Sequence, residues 1–94
     1  MYCEEIKYSL HAEVQMATRD IEKSDVKKVI RYGETIMDYP DIKPYPGRLI
    51  LLFIESRPLH VVVSRDDFTE ICHVITAYEP DLERWHLDFK TRKK

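Results

Sequence analysis

Few residue types can move a proton near neutral pH, and one of them is oddly placed in this chain. His60 interrupts the apolar run Leu59-His60-Val61-Val62-Val63. A neutral imidazole buried in such a run needs partners for both ring nitrogens. Two readings stay open: a histidine held by a neighbouring carbonyl, or a general acid or base, since imidazole titrates near neutrality without help. Tyr78 ends the next β-branched stretch, just before Glu79-Pro80. A hairpin turning near Asp67 sets His60 opposite Val74, Ile75 or Thr76, with Tyr78 one or two rungs away. A phenol there orients a substrate, passes a proton, or caps the sheet end with its ring.

Cationic groups supply the second half of such a chemistry. Arg48 follows the stiff loop of Pro40, Pro44, Pro46 and Gly47, and a guanidinium at a strand end is a good phosphate or carboxylate clamp. The bland alternative is a surface ion pair with Asp41 or Glu55, worth ~0–1 kcal/mol. His11 and Arg19 lie eight residues apart in a helical stretch, where they line a groove or a solvated face. Arg57, Arg65 and Arg84 read most simply as surface charges, and Trp85 as core.

Other chemistries lack their motifs. The four His and two Cys include no i, i+4 pair and no C-x-x-C, the spacings a zinc site needs. Cys72 and His73 are neighbours and point to opposite faces of a strand, so they form no dyad. There is no Gly-rich phosphate loop or nucleophile elbow. Neither a metal nor an organic cofactor is expected.

These residues must be positioned by an order of elements that periodicity suggests. Ser9 reads as the N-cap of a first helix, with Leu10, Val14, Ala17 and Ile21 on one face. Ser24 reads as the cap of a second, with Val26, Val29 and Ile30 buried and Gly33 as a left-handed stop. A short extended segment around Ile6-Lys7-Tyr8 is expected before them. Strands are then expected at Glu34–Tyr39, Arg48–Glu55, Leu59–Arg65 and Thr69–Tyr78. Pro80 opens a last short helix through Trp85. The result is a single α+β domain over residues 1–94: two N-terminal helices packed on a four-stranded antiparallel meander, with a short C-terminal helix.

Charge limits what such a domain can hold. The chain has 15 Lys and Arg against 17 Asp and Glu, a formal net charge of −2. Four of those bases sit in the tail at residues 90–94, so residues 1–89 carry eleven bases against seventeen acids, a net of −6. Bulk positive charge is therefore excluded as a means of holding nucleic acid, and any anion site must be local. The tail reads as a solvated terminus or as an electrostatic arm. Two cysteines 69 positions apart are expected to stay reduced in a cytoplasmic protein. The longest apolar run, Leu49–Ile54, is far short of the ~20 residues of a membrane helix.

The ordered set His11-Ala12, Met16, Arg19, Asp25-Val26, Gly33, Tyr39-Pro40, Pro44, Leu59-His60-Val61-Val62, Thr76-x-Tyr78-x-Pro80 and Trp85 resembles a small prokaryotic family catalogued as domain of unknown function 4258. The resemblance runs from about residue 9 to residue 88. Its most specific stretches are Asp38–Pro46, Arg57–Val63 and Ile75–Trp85. It implies a distant relation to the RelE/ParE toxin fold, and pairing with an antitoxin-type partner from a neighbouring gene. The expected activity is then a metal-independent RelE-like endoribonuclease acting on messenger RNA. His60 and Tyr78 would be its catalytic residues, and Arg48, Arg19 and His11 its RNA-binding ones. The alternative is a non-catalytic interaction module that takes a small partner protein on the open strand Glu34–Tyr39.

Overall fold

A computed structural model describes residues 1–94. The elements in chain order are β1 (Glu5–Tyr8), α1 (Leu10–Thr18), α2 (Lys23–Tyr32), β2 (Glu34–Tyr39), β3 (Gly47–Ile54), β4 (Arg57–Asp66) and β5 (Ile71–Tyr78). They form an α+β fold with two helices and one five-stranded mixed sheet, order β1-β5-β4-β3-β2. The expected four antiparallel strands gain a fifth, because β1 pairs parallel to β5, Glu5 opposite Ile71 through Tyr8 opposite Val74. Four residues are too few for alternation to declare a strand. Their partner lies more than sixty positions away, so only the closed fold reveals the pairing.

Ser9 caps α1 as expected: its Oγ accepts from the Ala12 amide at 3.0 Å. The same hydroxyl donates to the Ile75 carbonyl at 3.0 Å, and the Ser9 amide donates to the Val74 carbonyl at 3.1 Å. These bonds to β5 fix how α1 is rotated on the sheet. They turn Ala12 and Met16 inward and leave Leu10 and Val14 exposed, which corrects the expected Leu10–Val14–Ala17 face. The cap of α2 is Glu22, whose amide donates to the Asp25 carboxylate at 3.0 Å, and not Ser24. Val26, Val29 and Ile30 are buried as the spacing requires.

Gly33 ends α2 for a different reason from the one expected. Its φ is −76°, an ordinary extended conformation. A Cβ there would lie 2.5 Å from Ile50 Cγ2, 2.5 Å from the Val29 carbonyl and 2.8 Å from the Leu51 carbonyl. Glycine is needed because helix end and sheet touch backbone to backbone.

The helices cover one sheet face, where Ile50, Leu59, Val61, Val63, Cys72 and Val74 meet Val26, Val29, Ile30 and Met16. Residues paired across a sheet point to one side, so Leu51, His60 and Tyr78 share the opposite face. That face is closed near His60 by residues 79–94, which do not form the expected helix. Trp85 makes a single turn back to the Asp81 carbonyl, 3.1 Å, and then bridges to Arg92. The Asp88 carboxylate accepts from the Lys90 and Thr91 amides at 2.9 and 3.0 Å, and Phe89 adopts φ 55°, so the chain reverses. A helix this short is unstable alone, whereas the reversal places Trp85 on the sheet, 5% exposed.

Cys3 and Cys72, expected as reduced thiols, are joined by a disulfide with Cα atoms 5.6 Å apart. The parallel pairing of β1 with β5 brings Ile6 opposite Cys72, and so carries the strand's approach at Cys3 to the same place. No helix is long and apolar enough to cross a membrane.

Candidate functional site

The β4–β5 register decides the site. His60 lies directly opposite Tyr78, closer than expected. The connection is wider than a turn at Asp66-Asp67: the Glu70 amide donates to the Asp66 carbonyl at 2.7 Å, and the Asp66 carboxylate holds the Phe68 amide at 2.9 Å. A bulge at Ile75, between the pairs Val62–Thr76 and Val63–Val74, then shifts the register by one more residue.

His60 is fully buried, and both ring nitrogens are occupied. Nε2 lies 2.8 Å from the Phe89 carbonyl and Nδ1 lies 3.2 Å from the Tyr78 hydroxyl. A carbonyl only accepts, so the proton sits on Nε2, and Nδ1 accepts from the Tyr78 O–H. Trp85 meets the imidazole edge-on at 4.6 Å. Burial pushes the His60 pKa down, with the Phe89 carbonyl opposing, so the ring is neutral at neutral pH. The structure shows the first of the two arrangements expected for His60, a ring held by a backbone carbonyl, with the Tyr78 phenol as its second partner. Burial first, and then Tyr39, push the Tyr78 pKa up, against Arg92 and Arg84.

Tyr78 opens on a cleft of about 320 Å³ lined by Arg19, Thr76, Glu79, Asp81, Arg84 and Arg92. Glu79 is engaged by Arg57 Nε at 2.7 Å, and Asp81 accepts from the Arg84 amide at 3.0 Å. None of the ion pairs in the molecule involves Arg19, Arg84 or Arg92. Three arginines without a carboxylate partner thus line the same cleft as Tyr78, and two of them, Arg92 and Arg84, act on its hydroxyl.

Of the residues singled out from the sequence, the structure brings His60, Tyr78 and Arg19 together. His11 is exposed on α1; four-residue spacing puts it in line with Gln15 and Arg19, one turn outside the cleft. Arg48 lies elsewhere. It pairs with Val63 and so points to the helix side of the sheet, into a shallow pocket with Asp38, Arg65 and Asp67.

Arg84, expected as a surface charge, is exposed and lines the cleft, while Arg57 is half-buried next to it in the fold. Arg57 donates to the Arg19 carbonyl at 2.6 Å and the Asp20 carbonyl at 3.1 Å while it holds Glu79. It thereby ties the end of α1 to the end of β5. The basic tail also folds in: Arg92 reaches the cleft with its guanidinium 6.0 Å from the Trp85 ring. Lys90 pairs with Glu34 at 2.8 Å and Lys93 donates to the Leu82 carbonyl at 2.6 Å. A basic pair after a Trp carried no motif that could have announced this.

Fold and site together define a small α+β domain with an arginine-lined cleft at a buried histidine's half-buried tyrosine partner. The family described as "Domain of unknown function (DUF4258)" matches residues 8–79. The chain belongs to that family. No curated protein and no solved structure has a significant match to the chain.

Proposed function

We propose that the chain is a metal-independent endoribonuclease, the toxin of a toxin–antitoxin pair acting on messenger RNA. The observation that supports this is the set Arg19, Arg84 and Arg92, free of carboxylate partners, lining one cleft with Tyr78, whose hydroxyl is hydrogen-bonded to His60. In this reaction a ribose 2′-oxygen attacks the adjacent phosphorus, the O2′–P bond forms and the P–O5′ bond breaks. The products are a 2′,3′-cyclic phosphate and a 5′-hydroxyl, with no change of oxidation state. One proton leaves the 2′-hydroxyl and one reaches O5′.

Tyr78 and His60 can carry both protons. Because Tyr78 donates to His60 Nδ1, the phenol oxygen has lone pairs free to face the cleft. It accepts the 2′-proton as its own passes to Nδ1, and the same relay in reverse returns a proton to O5′. The guanidinium groups stabilise the negative charge that builds on the phosphoryl oxygens.

Purified protein is incubated with single-stranded RNA, and separately with translating ribosomes, in the presence of EDTA. Products with cyclic phosphate ends are expected. Tyr78→Phe should lower the rate by about 10²-fold or more, the usual scale for losing a proton-transfer group. Cleavage that survives unchanged in both Tyr78→Phe and His60→Gln removes the pair from the mechanism.

A second reading rests on β2. This strand is the sheet's other edge, bulged between Thr35 and Met37, with Met37 partly exposed. An open edge accepts a strand from a small partner protein of a neighbouring gene. Recovery of the chain from its native cell alone and monomeric counts against this reading.

A further inference from the structure

The helical layer stops short of one sheet edge. α1 packs on β5, and α2 on β3 and β4, so the helix-side face of β1 lies largely beyond both. Ile6 and Tyr8, on that face, remain only half-buried. Between them and α2 runs a groove of about 750 Å³. At one end Lys23 Nζ sits 4.8 Å from the Tyr8 ring centroid, and at the other the Met1 amino group donates to the Ile30 carbonyl at 3.1 Å. The first eight residues therefore run antiparallel to α2.

The α2 wall of the groove carries Lys23, Lys27 and Arg31, four residues apart. On a helix that spacing is one turn, about 6 Å, so the three charges form a stripe about 12 Å long. None of them pairs with a carboxylate. Ile30 and Ile6 supply an apolar floor. The Tyr8 hydroxyl is buried there without a hydrogen-bond partner, an unmet donor that an acceptor on a bound ligand would satisfy.

We infer that this groove is a docking site for an acidic amphipathic helix of a partner protein, which completes the helical layer over β1. Volume supports this occupant: a helix 10–12 Å across and about 12 Å long matches the groove, with its outer side left in solvent. Periodicity supports it too, since carboxylates at i, i+4 and i+8 of a helix repeat at the same ~6 Å as the lysine stripe. Apolar residues one position before each acid fall on the adjoining stripe and meet Ile6, Ile30 and the Tyr8 ring. Glu4 and Glu5 on the β1 rim repel the acids and so orient them toward α2. The site is separate from the arginine cleft and stands whether or not that cleft cleaves RNA.

The probe is a blocked, labelled peptide of four Glu-Ala-Ala-Leu repeats; its control has Lys in place of every Glu. Binding is followed by fluorescence anisotropy, and the surface is mapped by amide shifts of the labelled protein. The acidic peptide is expected to bind at least tenfold more tightly than the control and to move Ile6, Tyr8 and α2 amides. Lys27→Glu, an exposed change, should weaken it at least tenfold, and Tyr8→Phe about threefold or more. Absence of binding at about 1 mM, equal binding of both peptides, or shifts confined to β2 or to the Tyr78 cleft overturns the assignment. So does a dimer in sedimentation equilibrium that Lys27→Glu dissociates, because the groove would then belong to a second copy.

Discussion

Acidification should destabilise this protein through His60, and the size of the effect can be worked out. In the native state the imidazole is neutral, with Nε2–H on the Phe89 carbonyl and Nδ1 on the Tyr78 hydroxyl. A second proton would have to enter at Nδ1, against the Tyr78 O–H, and leave a cation with no exposed surface. The folded pKa is accordingly lowered. In the unfolded chain it stands near 6.5. As pH falls, the unfolded state takes up the proton first, so stability is complete above about pH 6.5 and declines below it until the folded pKa is reached. If the native ring stays neutral throughout, the loss at pH 5.5 reaches its ceiling of RT ln(1 + 10), about 1.4 kcal/mol.

Urea unfolding followed by the fluorescence of Trp85, the sole tryptophan, reads the same site, since the indole lies 4.6 Å from the imidazole. At a slope of about 1–3 kcal/mol/M, the midpoint should fall between pH 7.5 and 5.5, by at most roughly 0.5–1.4 M. His60→Gln controls for His11, His73, His86 and the carboxylates, which both proteins retain. The His60-specific part is the difference between the two pH dependences. An equal loss in both proteins, or a gain of wild-type stability on acidification, would refute the neutral tautomer and the relay built on it.

Further outcomes follow from single features. Gly33→Ala should cost about 1–3 kcal/mol by thermal unfolding, because the new methyl meets the Val29 and Leu51 carbonyls, which cannot yield as a side chain could. Cys3→Ser should cost as much as about 4 kcal/mol in oxidised protein, the chain-entropy value for a bridge across 69 residues. The same change should cost nothing when both proteins are measured under reductant. Ser9→Ala loses a cap and the bond to Ile75 and should cost about 1–2 kcal/mol by chemical denaturation. Arg57→Gln releases the end of α1 from β5. It should weaken single-stranded RNA binding several-fold in a filter assay while leaving Arg84 and Arg92 in place.

Much of the fold was legible because burial writes a local period. The stripe of α2 and the runs of β2 to β5 each carry their pattern within a dozen residues, and each formed within two residues of the expected bounds. The exceptions share one cause. β1 owes its existence to β5, the rotation of α1 to the Ile75 carbonyl, and the form of residues 79–94 to the sheet face that Trp85 covers. Arg48 misled for a related reason: strand parity relative to His60 depends on β3–β4 pairing, and that pairing turns it to the other side.

By itself, the sequence determined the class of fold, the two helices, the strand candidates and the requirement that an anion site be local. It also marked His60, because a polar residue in an apolar run must find partners wherever the chain takes it. Tertiary structure decided what those partners are. A bulge at Ile75 set Tyr78 against His60, Arg57 fixed Arg19 beside them, and the tail supplied both the Phe89 carbonyl and Arg92. Periodicity reports which side of an element is buried, whereas register and chain reversal report what it is buried against, and only closed long-range hydrogen bonds fix those.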